Sequence, residues 1–150
     1  WDSHAVNCHM YKDALVRLPI YDKTITALVE DLYRRGLDKK VLLVVTGEFG
    51  RTPRLAPAVG SQTGVMQPGR DHWPQVSCAL MAGGGMRTGQ AIGATNRLGE
   101  YAVSRPVHVQ EIIGTAYHNL GIDVMNTTIS DPTGRPQFLV DIREPMKELV

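Results

Sequence analysis

Apolar residues recur at helical spacing along the first quarter of the chain and then give way to a continuous apolar run. The helical pattern covers residues 12–35, and Pro19 is expected to divide it, because proline lacks the amide that an interior helical position needs. Gly36 is a usual helix-stop residue. Residues 41–46 follow as an unbroken, largely β-branched run, which predicts a strand covered on both faces, as in a parallel sheet.

Further elements follow at shorter intervals. Residues 52–69 are rich in proline, glycine, serine and glutamine and predict a long surface loop, which in compact domains tends to be functional. Apolar patterns predict strands at 75–82 and 91–95 and a helix at 107–120 that ends at Gly121. A turn at 131–136 and a short apolar segment at 138–142 complete the chain.

This alternation of helices and buried strands predicts an α/β fold: a mostly parallel sheet with helices on both faces. Ligands in such sheets collect at the carboxyl ends of the strands. The length of 150 residues suits one domain with a real core, so we treat residues 1–150 as one unit.

Composition narrows the function classes. The formal charge is +1 and the chain has no basic run, which argues against a nucleic-acid partner or a membrane-surface helix. No apolar stretch approaches the roughly 18–20 residues of a membrane span. Cys8 and Cys78 lie far apart, and we expect no disulfide between them.

Two short clusters combine carboxylate and imidazole side chains, and a lone glutamate lies at a predicted strand end. All three lie beside turn-forming residues, and carboxylate and imidazole are the donors that hold divalent metals. Asp2 and His4 lie two residues apart, so on extended backbone they point to the same side. Glu48 comes two residues after the buried run, where α/β sites are assembled. His72 follows Asp71, which can orient it without ligating. Ordinary solvated loop acids and a packed histidine are the alternative explanations.

Two arginines flank these clusters. Arg51 and Arg70 suit a phosphate or sulfate oxyanion, although salt bridges to neighbouring acids would give the same pattern. The glycine-rich stretch 83–89 follows a strand, but another strand rather than a helix comes next, so we do not expect a dinucleotide loop. His9, His108 and His118 have no carboxylate at ligand spacing, and we do not expect them to bind metal.

Long stretches of the chain resemble one family. They are WDSHAVN, LVEDLYRRGL, VLLVVTGEFGRTPR, GRDHWP, ALMAGGGMRTGQAIGATNRLGEY and RPVHVQEIIGTAYHNLGID. Together they look like the carboxyl-terminal half of domain-of-unknown-function family 1501, which is similar to the alkaline phosphatase and sulfatase superfamily. The resemblance implies an alkaline-phosphatase-like fold, of which this chain is the carboxyl-terminal portion.

The resemblance also implies a metal site. Asp2 and His4 fit the superfamily's early acid-and-histidine motif, Glu48 its acid after a central strand, and His72 its late histidine. Zinc or manganese is favoured by the mixed donors, and calcium is the all-oxygen alternative. The chain departs from the superfamily at Phe49, where a histidine usually stands, so a single-metal or altered site is expected.

The function that follows is a metal-dependent hydrolase of small-molecule or carbohydrate sulfate or phosphate esters, with this chain inactive by itself. The resemblance places the nucleophile in an amino-terminal half, and it places the intact protein in the periplasm or at the cell surface. The alternative is a non-catalytic exported binding or scaffold protein that keeps the hydrolase fold.

Overall fold

The computed structural model describes residues 3–150, and the predictions made for Trp1 and Asp2 lie outside this range. Within it the chain forms two helices and ten short strands. The helices are α1 (Met10–Arg34) and α2 (Val109–Asn119). The strands are β1 (Leu42–Thr46), β2 (Gly50–Arg51), β3 (Ala58–Val59), β4 (Met66–Gln67), β5 (His72–Trp73), β6 (Ala79–Gly83), β7 (Ala94–Thr95), β8 (Ala102–Ser104), β9 (Thr128–Ser130) and β10 (Pro136–Phe138).

The predicted parallel sheet is wrong. The strands of residues 3–150 form five separate antiparallel pairs, β1 with β6, β2 with β5, β3 with β4, β7 with β8 and β9 with β10. Helices on both faces of a continuous sheet are therefore absent from this part of the chain. The alkaline-phosphatase-like architecture is likewise not what these residues form.

The physical reason lies in how β1 is connected and covered. Parallel neighbours need a long crossover, usually helical, whereas the stretch between β1 and β6 contains loops and small strand pairs and brings the chain back antiparallel. Val44 and Thr46 are also exposed, so β1 is not covered on both faces. An apolar run indicates a strand with apolar side chains. It does not indicate whether the neighbouring strand is parallel or antiparallel.

Helix α1 begins two residues before its predicted start and ends one residue before its predicted end, and it runs through Pro19 without dividing. Only Leu32 of its side chains is buried, and most of its apolar face is exposed. Arg35 and Gly36 end it, with Gly36 in the left-handed region at φ 66°. The prediction that Pro19 splits this helix is therefore wrong.

The carboxyl-terminal segment packs against α2. Thr115 is fully buried, and its hydroxyl donates to the Glu111 carbonyl and accepts from the Met146 amide at 2.9 Å. Val140, Met146 and Leu149 are buried beside it. Residues 140–149 therefore contribute to the small core.

One arginine fastens that segment to the start of α2. The Arg105 guanidinium binds both carboxylate oxygens of Glu148, at 2.6 and 3.1 Å, and lies 2.9 Å from Glu111. Glu111 in turn accepts from the His108 amide, which completes a capping box at the helix start. The ion pairs of Arg105 with Glu111 and Glu148 link the first turn of α2 to the end of the chain.

Candidate functional site

His72 is positioned by the two-residue pairing of β2 with β5. Arg51 lies opposite His72 in this pairing, and Gly50 lies opposite Trp73. A Cβ on Gly50 would come within 1.8 Å of the Val76 carbonyl oxygen, so no other residue fits there without moving the backbone. Glycine at this position lets β2 lie against β5 and the residues after it, and this pairing sets the position of His72.

His4 is positioned by the loop that the sequence predicted as a surface loop. Its neighbours form backbone bonds to that loop: the Arg70 amide donates to the Ser3 carbonyl at 2.9 Å, and the Met10 amide donates to the Pro68 carbonyl at 3.1 Å. The amide group of Gln67, a buried side chain, donates to the Ala5 carbonyl. The stretch 56–70 is thus a scaffold for the amino-terminal segment.

Gly69 is the point of closest contact between these two segments. A Cβ on Gly69 would lie 2.0 Å from the backbone nitrogen of Ala5 and 2.7 Å from the carbonyl carbon of His4. Only glycine allows the backbones to approach this closely.

The two histidines that the sequence singled out as metal ligands lie together. The ring centroids of His4 and His72 are 4.4 Å apart, and the Phe49 ring packs on His72 with centroids 4.0 Å apart. Arg51 Nη1 lies 3.2 Å from His4 Nδ1 and 3.4 Å from His4 Nε2. We call His4, Phe49, Arg51 and His72 the histidine centre.

The contact between Arg51 and His4 constrains the protonation of that imidazole. A guanidinium can only donate, so the His4 nitrogen that accepts the bond presents a lone pair. That lone pair is directed at Arg51, so a metal ion could bind this nitrogen only if Arg51 turned away.

Arg70 adjoins the centre. Its carbonyl oxygen lies 3.4 Å from Arg51 Nη1, and its own Nε is buried without a hydrogen-bond partner among the residues that the structure describes. A buried donor without a partner is rare in proteins, because its desolvation is not offset. Arg70 Nε is therefore a donor that residues 3–150 leave unsatisfied.

Three of the predicted site residues are not among those that the structure places in the histidine centre. Glu48 is exposed and makes no hydrogen bond or ion pair with residues 3–150, although it directly precedes Phe49. The backbone of Asp71 pairs with Thr52, and its exposed carboxylate contacts none of the described residues. Asp2 lies outside the described range, and within that range no three histidine, cysteine or acidic residues form a metal-sized group. The ligand roles of Asp2, Glu48, His4 and His72 therefore stay predictions.

The remaining histidines have other surroundings. His108 caps α2 by accepting from the Gln110 amide at its Nδ1. His9 precedes α1, and its Nδ1 is buried without a partner among the described residues. His118 is exposed in the last turn of α2.

The glycine-rich stretch after β6 is a structural turn. Gly83, Gly84 and Gly85 all have positive φ, and the amides of Gly84 and Gly85 donate to the carbonyls of Val41 and Asp38. The Met86 amide donates to Gly83. These backbone donors are already used within the protein, so they are not available to cradle a phosphate.

Phe49 also forms part of the wall of a large apolar groove. The groove has a volume of about 1230 Å³ and runs between β6, residues 88–95 and the start of α2. Sequence reasoning treated Phe49 only as a residue unable to bind metal, and it missed both this wall and the packing on His72. It also missed the supporting roles of Gln67 and Gly69. The sequence signal for these roles was the high content of glycine and proline in residues 52–69, which indicated a functional loop without naming its residues.

No helix among residues 3–150 is long and apolar enough to cross a membrane. Comparison with curated proteins gives no match, and comparison with solved structures gives none either. A family model, described as a protein of unknown function, matches residues 1–150, which is the whole of the sequence. The chain therefore belongs to protein family DUF1501.

Proposed function

We propose that the histidine centre binds a divalent metal ion and that this chain supplies the metal- and anion-binding part of a hydrolase for sulfate or phosphate monoesters. The observation that carries the proposal is the meeting of His4 and His72, with ring centroids 4.4 Å apart, from opposite ends of a long stretch of chain. Imidazole is the commonest metal ligand among protein side chains.

The donor set fits a borderline metal better than a hard one. Mixed imidazole and carboxylate donors favour zinc or manganese, whereas calcium prefers an all-oxygen sphere. Within residues 3–150 the centre has two nitrogen donors, so the proposal needs carboxylate donors from Asp2 and Glu48. Glu48 is exposed in the turn after β1, and a change in its side-chain torsions is the smallest movement that could bring it nearer.

The side chains around the centre have separate roles in this proposal. Arg51 and Arg70 bind the ester's charged oxygens, because guanidinium groups match phosphate and sulfate geometry. Phe49 packs on His72, fixes the plane of its ring and keeps water from that side. A bound metal would polarise an ester oxygen and lower the pKa of a coordinated water.

No nucleophile is assigned among residues 3–150. The Thr46 hydroxyl donates to backbone carbonyls at Gly47 and Cys78, and the Thr52 hydroxyl donates to the Arg54 carbonyl. Neither hydroxyl has a base within hydrogen-bond reach in these contacts. We propose that the complete active site needs groups that this chain does not supply.

Metal analysis tests the proposal. We expect the protein purified without chelator to contain about one zinc or manganese ion per chain, measured by inductively coupled plasma mass spectrometry. The substitutions His4→Ala and His72→Ala should each remove most of it, since each deletes a nitrogen ligand. His118→Ala is the matched control and should retain the wild-type metal content. Equal metal content in all three variants would contradict the proposal.

A second candidate is a non-catalytic binding or scaffold protein. The observation that favours it is the absence, within residues 3–150, of a third donor beside His4 and His72. The two candidates differ in anion binding: a scaffold, or a module that binds another kind of ligand, predicts no binding of inorganic phosphate or sulfate, whereas the hydrolase proposal predicts binding that Arg51→Gln weakens. Isothermal titration calorimetry distinguishes them.

A further inference from the structure

Arg51 lies beside both imidazoles of the histidine centre. It stands directly opposite His72 in the pairing of β2 with β5, and cross-strand partners have neighbouring side chains on one face of a strand pair. Its Nη1 lies 3.2 Å from His4 Nδ1 and 3.4 Å from His4 Nε2, so the guanidinium also contacts the second imidazole. An ion held by both imidazoles would therefore lie next to a side chain that keeps its positive charge at every pH of interest.

The guanidinium reaches the accepting nitrogen of His4 in either tautomer. In a neutral imidazole one ring nitrogen carries the proton and the other has the lone pair, and the two tautomers exchange these roles. Because Arg51 Nη1 lies within 3.4 Å of both nitrogens, it can donate to whichever one accepts. A metal ion binds histidine through the same lone pair. Arg51 and a metal ion are therefore alternative partners of His4.

An oxyanion would compete with His4 for Arg51. A negatively charged oxygen accepts a stronger hydrogen bond from a guanidinium than a neutral imidazole nitrogen does. The neighbouring Arg70 offers such an anion a second contact, because its buried Nε has no hydrogen-bond partner among residues 3–150 and its carbonyl oxygen lies 3.4 Å from Arg51 Nη1. An anion bound at the two arginines therefore takes the guanidinium of Arg51 away from His4.

We infer that Arg51 makes metal binding and oxyanion binding interdependent, because its guanidinium bonds either to His4 or to the anion. The inference rests on the proposed function and adds a regulatory role for Arg51 at the same site. A bound sulfate or phosphate monoester frees the His4 lone pair and raises the affinity for the metal ion. By thermodynamic linkage, the metal ion raises the affinity for the anion by the same factor. The histidine centre thus favours metal and substrate together over either one alone.

The sign of one substitution identifies this role of Arg51. A metal ion attracts an anion even without an arginine, so interdependence by itself does not implicate Arg51. Arg51→Gln removes the positive charge and shortens the side chain, which leaves the His4 lone pair open to the metal ion. Competition by Arg51 therefore predicts tighter metal binding in the variant when no anion is present. An arginine that merely supported His4 would give weaker binding, and one that only bound the anion would give no change.

Isothermal titration calorimetry with zinc chloride measures this sign. Inorganic sulfate is the anion, because its zinc salt is soluble, and sodium chloride keeps the ionic strength constant. Without sulfate, we expect Arg51→Gln to bind zinc at least about tenfold more tightly than the wild type. With saturating sulfate, the zinc affinity of the wild type should rise and the difference should decrease. Arg54→Gln is the matched control: Arg54 is exposed in the same segment, so the variant loses the same charge and should bind zinc as the wild type does.

The titration separates failure of this inference from failure of the proposed function. A zinc affinity that Arg51→Gln lowers or leaves unchanged would overturn the inference, and so would equal effects of Arg51→Gln and Arg54→Gln. His72→Ala tests the metal site in the same titration. If the wild type binds zinc and His72→Ala weakens this binding, the metal site stands whatever the result for Arg51. If neither the wild type nor Arg51→Gln binds zinc through His72, the inference and the proposed function are both wrong.

A crystal structure of the wild-type chain with zinc and sulfate provides a second test, which does not depend on the folding of a variant. We expect Arg51 Nη1 to lie beyond hydrogen-bond reach of both His4 nitrogens and to donate to a sulfate oxygen instead. Zinc bound by His72 with the contact between Arg51 and His4 kept would refute the inference. Zinc bound by both imidazoles with Arg51 unmoved would refute it equally.

Discussion

At the scale of single residues, glycines and a glutamine decide where the candidate ligands lie. His4 and His72 can meet only because Gly69 lets two backbones approach closely and because Gln67 holds the Ala5 carbonyl from a buried position. These supporting residues carry no metal-binding chemistry of their own. They fix the positions of His4 and His72, and a small change in these positions would separate the two imidazoles.

Gly69→Ala tests this support. The added Cβ would lie 2.0 Å from the Ala5 nitrogen, so the amino-terminal segment must move and take His4 away from His72. We expect loss of bound metal and a decrease of about 1–3 kcal/mol in the free energy of unfolding, measured by urea denaturation. Gly47→Ala is the control, because its nearest contact would be an ordinary 3.4 Å from the Phe49 carbonyl oxygen. If Gly69→Ala keeps its metal, the close approach does not position the centre.

At the scale of elements, α2 and the carboxyl-terminal segment form one unit held by a buried hydroxyl and a charge network. The hydrogen bonds from Arg105 lower the pKa of Glu148 to about 2, well below its ordinary 4.5, and the same carboxylate raises the pKa of Arg105. Arg105 has a positive φ of 41°, a conformation uncommon for a residue with a side chain. The pairing with Glu148 and Glu111 holds it there.

This network makes stability depend on pH. A carboxylate whose pKa is lowered in the folded state stabilises the fold above its ordinary pKa, and the contribution is lost as pH falls from about 4.5 to about 2. We expect the urea midpoint of the wild type to fall across that window more steeply than that of Glu148→Gln. Glu144→Gln should behave as the wild type does, since Glu144 is exposed and lies 3.8 Å from Lys147. Parallel pH profiles for all three proteins would contradict the role of Glu148.

At the scale of the whole molecule, the chain exposes much of its apolar surface and has a small core. Seven hydrophobic residues of the described range are buried, among them Ala82 and Val124, while most apolar side chains of α1 face solvent. The groove beside Phe49 belongs to this exposed surface. Among residues 3–150 the histidine centre has guanidinium donors but no activated nucleophile.

The chain alone is therefore expected to lack catalytic turnover. The purified protein, loaded with zinc or manganese, should not hydrolyse 4-nitrophenyl phosphate or 4-nitrophenyl sulfate above the rate of a His4→Ala, His72→Ala double variant. Inorganic phosphate should still bind to it through Arg51 and Arg70. Robust turnover that the double variant loses would show that a nucleophile is present in these residues.

The amino-acid sequence determined the local features of this protein. Periodicity identified α1 and α2 to within two residues, the apolar runs located β1 and β6, and residue chemistry named His4 and His72 among four candidate metal ligands. Each of these depends on neighbours along the chain or on the intrinsic chemistry of a side chain.

Tertiary structure alone decided the rest. The direction of β6 beside β1 depends on how residues 47–78 return, and the use of 56–70 as a scaffold depends on backbone contacts between distant segments. The meeting of His4 with Arg51 and the packing of Phe49 on His72 depend on the same long-range contacts. Contacts between residues far apart in sequence leave no periodic signature, because the free energy that selects them comes from packing and hydrogen bonding in the folded chain.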